Sequence, residues 1–236
     1  PTATGDSPGV QEDRMGERDL AEPMRTPEGG APQQPVRLQA RGITKSYGGR
    51  RVLSDVDLVV HAGEMVAVVG ANGSGKSTLL KICAGLLSPD AGEVVIDGRL
   101  GYCPQEIALF GFLRPAEHFA LFGAGWGLTR QQARRQGRRI AAQLDWDARV
   151  RTQVRHLSGG TQQKLNLTLA MLGDVDVLLL DEPYQGFDRG SYIDFWRYLG
   201  EWRDAGKAVV VITHMLDSLH RVDRVLELTP TERSGR

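Results

Sequence analysis

Cysteine is scarce: Cys83 and Cys103 are the only two in 236 residues. That is too few for a disulfide framework, their spacing matches no metal site, and a reducing compartment is expected. Long apolar runs are also missing. None approaches the ~20 residues that cross a bilayer, so any membrane role has to come through a partner. The opening stretch, PTATGDSPGV, has neither a basic start nor an apolar segment, and no secretory signal is expected there. Net charge is absent as well, with 29 Lys plus Arg against 29 Asp plus Glu. This removes the electrostatic argument for a nucleic-acid partner. What is present is ordinary: 41% hydrophobic and 25% charged residues, as in a globular protein. The length suits one large domain, or a core with a subdomain. A soluble, cytoplasmic chain is expected.

The pattern changes along the chain. Residues 1–35 carry seven acids and three bases, many Pro and Gly, and almost no large apolar residue. Such a segment cannot bury enough surface to offset its ordering entropy, and a disordered tail is expected. From Val36 to about 228 the chain reads as one folded domain, with 229–236 a second tail. VRLQARGITKSY and RVLSDVDLVV alternate like half-buried strands. EMVAVVG, VDVLLLDEP and KAVVVITH are short continuous apolar runs, the mark of strands buried on both faces. EVVIDG reads as a further strand. KSTLLKICAGLL and SYIDFWRYLGEWRDAG read as helices between them. Alternating buried strands and helices predict an α/β fold with a mainly parallel sheet, and a small antiparallel β subdomain precedes it. Residues of about 106–172 are helical by pattern and form an insertion. Its Arg-rich part, TRQQARRQGRRIAAQL, reads as a solvated helix face, since no aromatics interleave the charges.

Residues Gly70–Ser77, GANGSGKS, satisfy the phosphate-loop pattern in full, with a buried strand before and a helix after. Gly70, Gly73 and Gly75, with Asn72 and Ser74, let backbone N–H groups wrap phosphates. Lys76 would reach the β- and γ-phosphates of a nucleotide, Ser77 would hold Mg²⁺, and Thr78 is a second hydroxyl beside it. Asp181 ends VLLLD, where open α/β sheets bind ligands, and would hold Mg²⁺ through water. Glu182 follows and would polarise the attacking water. His214 ends the next apolar strand, and Gln105 in GYCPQE and Tyr47 in KSYGG are further candidates. His214 is either structural or a γ-phosphate ligand. Tyr47 is either ordinary surface or an adenine platform. A second anion site is also written in the chain. Ser158, Gly159 and Gly160 of LSGGTQQKLNL stand before an expected helix, with free N–H groups and the positive helix end facing outward.

Taken in order, these pieces resemble the ATP-binding subunit of an ABC transporter, over roughly residues 36–228. The chain shows an aromatic (Tyr47), Walker A (Gly70–Ser77), a Q-loop (Gln105), LSGG (Leu157–Gly160), Walker B (Val177–Asp181) with Glu182, a D-loop aspartate (Asp188) and a switch histidine (His214). The resemblance implies ATP hydrolysis by Glu182, His214 and Gln105, with Mg²⁺ at Ser77, Gln105 and Asp181. It implies a head-to-tail pair in which Ser158, Gly159, Gly160 and Asp188 serve the nucleotide of a second ATPase subunit. It also implies an integral membrane permease subunit and a peripheral location at the cytoplasmic face of the cell membrane, with no nucleic acid. TQQKLNL looks like ABC-2 type exporters, whose ATPase is a separate chain. An importer ATPase and a non-transport ABC-type ATPase share the same motifs. A catalytically dead module does not fit intact Glu182, Gln105 and His214.

Two departures stand out. Thr161 and Lys164 replace the usual Gln and Arg after LSGG, and Tyr184 and Gln185 in PYQGFD stand where smaller residues are common. The loop EIALFGFLRP is unusually apolar. Leu109, Phe110, Phe112 and Leu113 either fill the joint to the helical insertion or meet the membrane subunit.

Overall fold

A computed structural model describes residues 34–230. The expected N-terminal tail therefore falls almost wholly outside the described residues, as does most of the C-terminal one. The described residues contain eight strands, five α-helices and two short 3₁₀ helices.

Strands β1 (Val36–Tyr47), β2 (Arg50–His61) and β4 (Ala91–Ile96) form an antiparallel sheet in the order β2-β1-β4. A second sheet is parallel throughout, in the order β5-β6-β7-β3-β8. It comprises β3 (Met65–Val69), β5 (Leu100–Cys103), β6 (Val177–Asp181), β7 (Ala208–Ile212) and β8 (Arg224–Glu227). The three apolar runs of the sequence are β3, β6 and β7, and they occupy the centre. Their side chains alternate between two cores. Val66, Val68, Leu179, Val210 and Ile212 face a core closed by the antiparallel sheet and helix α1 (Lys76–Cys83). Ala67, Leu178, Leu180, Val209 and Val211 face the opposite one, built with helices α4 (Gly159–Ala170) and α5 (Arg189–Asp204). Strand periodicity of two makes this division, and each fully buried Val or Leu contributes about 1.5–3 kcal/mol of burial.

Helices α2 (Pro115–Gly125) and α3 (Arg130–Gln143) pack with α4 around a third core containing Phe119, Ala133 and Leu165. Ala133, Gly137, Ile140 and Ala141 form the buried stripe of α3. Its Arg134, Arg135, Arg138 and Arg139 are exposed, as expected of a solvated face.

Two strands carry no sequence signal, and one expectation needs correction. Strand β5 was missed because LGYC is only four residues long beside a turn. Strand β8 was missed because RVLE at the sheet edge is mostly exposed and lacks an apolar run. The first helix stops at Cys83 rather than continuing to Leu87. The chain folds back there, with Leu86 N–H donating to the Lys81 carbonyl at 2.9 Å. The described residues contain no helix long and apolar enough to cross a membrane.

Candidate active site

Parallel strands carry their carboxyl ends to one edge, and the sheet order puts the chemistry there. Gln105 follows β5, Asp181 ends β6 with Glu182 next, His214 follows β7, and the phosphate loop follows β3. A cavity of about 530 Å³ opens at this edge. Its lining brings together Tyr47, Asn72, Gly73, Gly75, Lys76, Ser77, Thr78, Gln105, Glu182 and His214, all named from sequence. Arg50 and Val52 join the lining from β2, and no motif in the sequence signals them. The size lies within the usual range of small-molecule sites.

The loop itself is tightly determined. Gly75 caps α1 at φ 97°, and a Cβ there would lie 2.6 Å from the Leu53 side chain. Any other residue would be strained and would clash. Lys76 is almost fully buried, and its Nζ donates to the carbonyls of Gly70 at 2.9 Å and Ala71 at 3.1 Å. The ammonium is thereby held over the loop.

Glu182 is held at both carboxylate oxygens. Its Oε1 lies 2.6 Å from His214 Nε2. Its Oε2 accepts from Gln105 Nε2 at 3.3 Å and from Gln185 Nε2 at 2.9 Å. The Gln185 contact was not foreseen; the unusual residue type at that position was its only signal. Asp181 differs. It is 1% exposed, and its Oδ1 has no hydrogen-bond partner. Burial raises its pKa, the Ser77 hydroxyl opposes that shift, and the neighbouring Glu182 charge adds to it. A buried acid with a free oxygen beside a hydroxyl fits a small hard cation such as Mg²⁺. That ion takes one or two protein oxygens and completes its shell with phosphate and water. The Gln105 amide, by contrast, is directed at Glu182.

Ser158, Gly159, Gly160 and Asp188 do not line this cavity. Ser158 caps α4, accepting from Thr161 N–H at 3.2 Å. Asp188 caps α5, and the Ser191 N–H donating at 2.7 Å holds its carboxyl below the usual range. Helix α4 nonetheless reaches the site from behind. Buried Gln163 donates to the Pro183 carbonyl at 3.0 Å, and Asn166 donates to the Pro104 carbonyl at 3.3 Å. The helix that begins in LSGG thus holds the segments carrying both Glu182 and Gln105.

A phosphate-cradling loop between β3 and α1, facing an acid pair at the end of β6, defines a P-loop ATPase. The family profile described as ABC transporter matches residues 53–185. The Nod factor export ATP-binding protein I of Cupriavidus pinatubonensis is 31% identical over 217 residues, covering 86% of this chain and 65% of that protein. The aliphatic sulfonates import ATP-binding protein SsuB 1 of Rhizobium johnstonii is 33% identical over 204 residues, covering 82% and 74%. A solved structure, the ATP-binding subunit of an ABC transporter, superposes with a TM-score of 0.75 at 27% identity, covering 83% of this chain and 88% of that one. The chain belongs to the ABC transporter family as an ATP-binding subunit, and its activity is that of an ATPase.

Proposed function

We propose that this protein is the ATPase of an exporter: it hydrolyses Mg²⁺-bound ATP as one half of a head-to-tail pair and drives a separate membrane subunit, beneath which it sits at the cytoplasmic face. The observation that carries the chemistry is Glu182, held by His214 and Gln105 at the cavity that Lys76 and Ser77 also line. Residues 36–228 form the working domain.

In this reading the chain's groups divide the work. The loop N–H groups and Lys76 bind the phosphates. Ser77 and Asp181 would hold Mg²⁺, which when bound neutralises charge on the phosphate oxygens. Glu182 would orient the attacking water and take its proton, and His214, which holds Glu182 at one oxygen, would bond the γ-phosphate of bound ATP. Tyr47, nearly half exposed at the cavity rim, offers a face for the base. Ser158, Gly159, Gly160 and Asp188 lie outside their own chain's cavity on helix ends, which supports a role toward the nucleotide of a partner.

Relatives with both export and import in their names exist, so the direction rests on narrower ground. TQQKLNL after LSGG favours the exporter type, and the linearmycin resistance ATP-binding protein LnrL of Bacillus subtilis is 26% identical over 194 residues. The test of the chemistry is Glu182→Gln. The variant should bind ATP, lose hydrolysis, and elute as a pair when ATP is present. Turnover at the unmodified rate would remove Glu182 from its role.

A further inference from the structure

The segment after Glu182 reads Pro183, Tyr184, Gln185 and Gly186, and it is built unlike an ordinary turn. Glu182 itself stands at φ 46°, in the left-handed region that non-glycine residues avoid. Such a backbone persists only where its surroundings over-determine it. Three contacts do so. Gln163, buried in α4, holds the Pro183 carbonyl. Gln185 reaches back to Glu182 Oε2 at 2.9 Å. The Tyr184 hydroxyl meets the Thr213 hydroxyl at 2.5 Å, and Thr213 is 1% exposed.

Thr213 is the residue before His214, and its Oγ1 also accepts from Met215 N–H at 3.1 Å. The Tyr184 ring is fixed in turn, edge-on to Tyr192 at 5.3 Å and to Phe195 at 6.1 Å. A phenol anchored in the core thereby ties the loop after β6 to the loop after β7. Those two loops carry Glu182 and His214.

We propose that Tyr184 and Gln185 are positioning residues for hydrolysis: Gln185 fixes one oxygen of Glu182, and Tyr184 keeps the Glu182 and His214 loops in register. The proposal rests on the reading of Glu182 as base. It goes beyond that reading by assigning work to two residues outside the recognised motif set. A carboxylate that must meet a water molecule in line with a phosphate tolerates little displacement, and a 1 Å error costs on the order of 100-fold in rate. Neither Tyr184 nor Gln185 lines the cavity, so both ties act on geometry. Their loss should therefore appear in kcat and leave KM for ATP alone.

The test uses the full chain, with steady-state ATPase kinetics and thermal unfolding for Gln185→Ala, Tyr184→Phe, Thr213→Val and Glu182→Gln. Gln185→Ala and Tyr184→Phe should each lower kcat by about 10- to 100-fold, with KM for ATP changed by less than about twofold. Tyr184→Phe combined with Thr213→Val should lower kcat by less than the product of the two single losses, because both remove the tie between the two hydroxyls. Gln185 is exposed, so its alanine variant keeps the test alive if the buried variants fold poorly. Unchanged kcat in Gln185→Ala and Tyr184→Phe, with Glu182→Gln inactive, overturns the brace and leaves the base standing. A rise in KM without loss of kcat also overturns it, since the segment would then bind nucleotide. An active Glu182→Gln removes the base, and the brace with it.

Discussion

Asp181 carries an unfavourable charge. Burial and the adjacent Glu182 raise its pKa, and one of its oxygens is unpartnered in the interior. A carboxylic acid whose pKa is raised by folding destabilises the folded chain once it ionises. Asparagine keeps the shape and an acceptor for Ser77 while removing the charge. Asp181→Asn should therefore melt at a higher temperature than the natural chain without nucleotide, yet lose at least ~100-fold in Mg²⁺-dependent hydrolysis. Scanning calorimetry and an ATPase assay check the two halves, and a variant that melts lower denies that the charge is strained. The residue-level site was largely legible in sequence. Lys76, Ser77, Asp181 and Glu182 sit in short contiguous motifs whose spacing is fixed by a strand, a turn and a helix. Gln185 and Tyr184 were visible only as odd residues, because what they touch, Glu182 Oε2 and Thr213, is decided by side-chain reach across loops.

At the scale of elements, the apolar loop after Gln105 is divided between inside and outside. Of the residues in EIALFGFLRP, Leu109 packs against the helical core, while Phe110 is 55% and Phe112 71% exposed. The loop is nevertheless held. His118, wholly buried, accepts from Phe110 N–H at 3.0 Å, and its other ring nitrogen lies 3.0 Å from the Arg114 carbonyl. The Arg155 guanidinium lies 4.5 Å from the Phe112 ring centroid. Under the proposed function, a held loop with two aromatic side chains outward would serve to dock the membrane subunit. Phe112→Glu should leave ATP binding and melting temperature nearly unchanged, within about 0.5 kcal/mol of stability. It should abolish co-purification with the permease and transport. Retained co-purification and transport would return the loop to a local role. The sequence named these residues and left their direction open, since a loop has no periodicity to assign inside and outside. Buried strands did have it, which is why β3, β6 and β7 were read and the exposed edge strand β8 was not.

At the scale of the whole molecule, the proposed head-to-tail pair rests on residues that lie outside the chain's own cavity. The cavity lies at the carboxyl edge of the parallel sheet, and LSGG lies at the exposed start of α4. In the proposed pair a second subunit would unite them. A mixture of Lys76→Ala and Ser158→Arg chains tests this directly. In a head-to-tail pair one composite site carries both lesions and the other carries none. ATP-driven pairing should return in the mixture to about the level that one intact site supports, and be absent in each variant alone. Light scattering reads the outcome, and no gain over the separate variants counts against the shared site.

The sequence by itself determined the class of this protein, because phosphate binding, buried strands and helix caps are local in the chain and have local signatures. Motif order then carried the family. Only the tertiary structure decided that Gln105, Glu182 and His214 meet, that α4 holds the loops on both sides of them through Gln163 and Asn166, and that Tyr184 joins two of those loops. These contacts link residues far apart in the chain. They arise from the order in which parallel strands lie side by side, and no local pattern records that order.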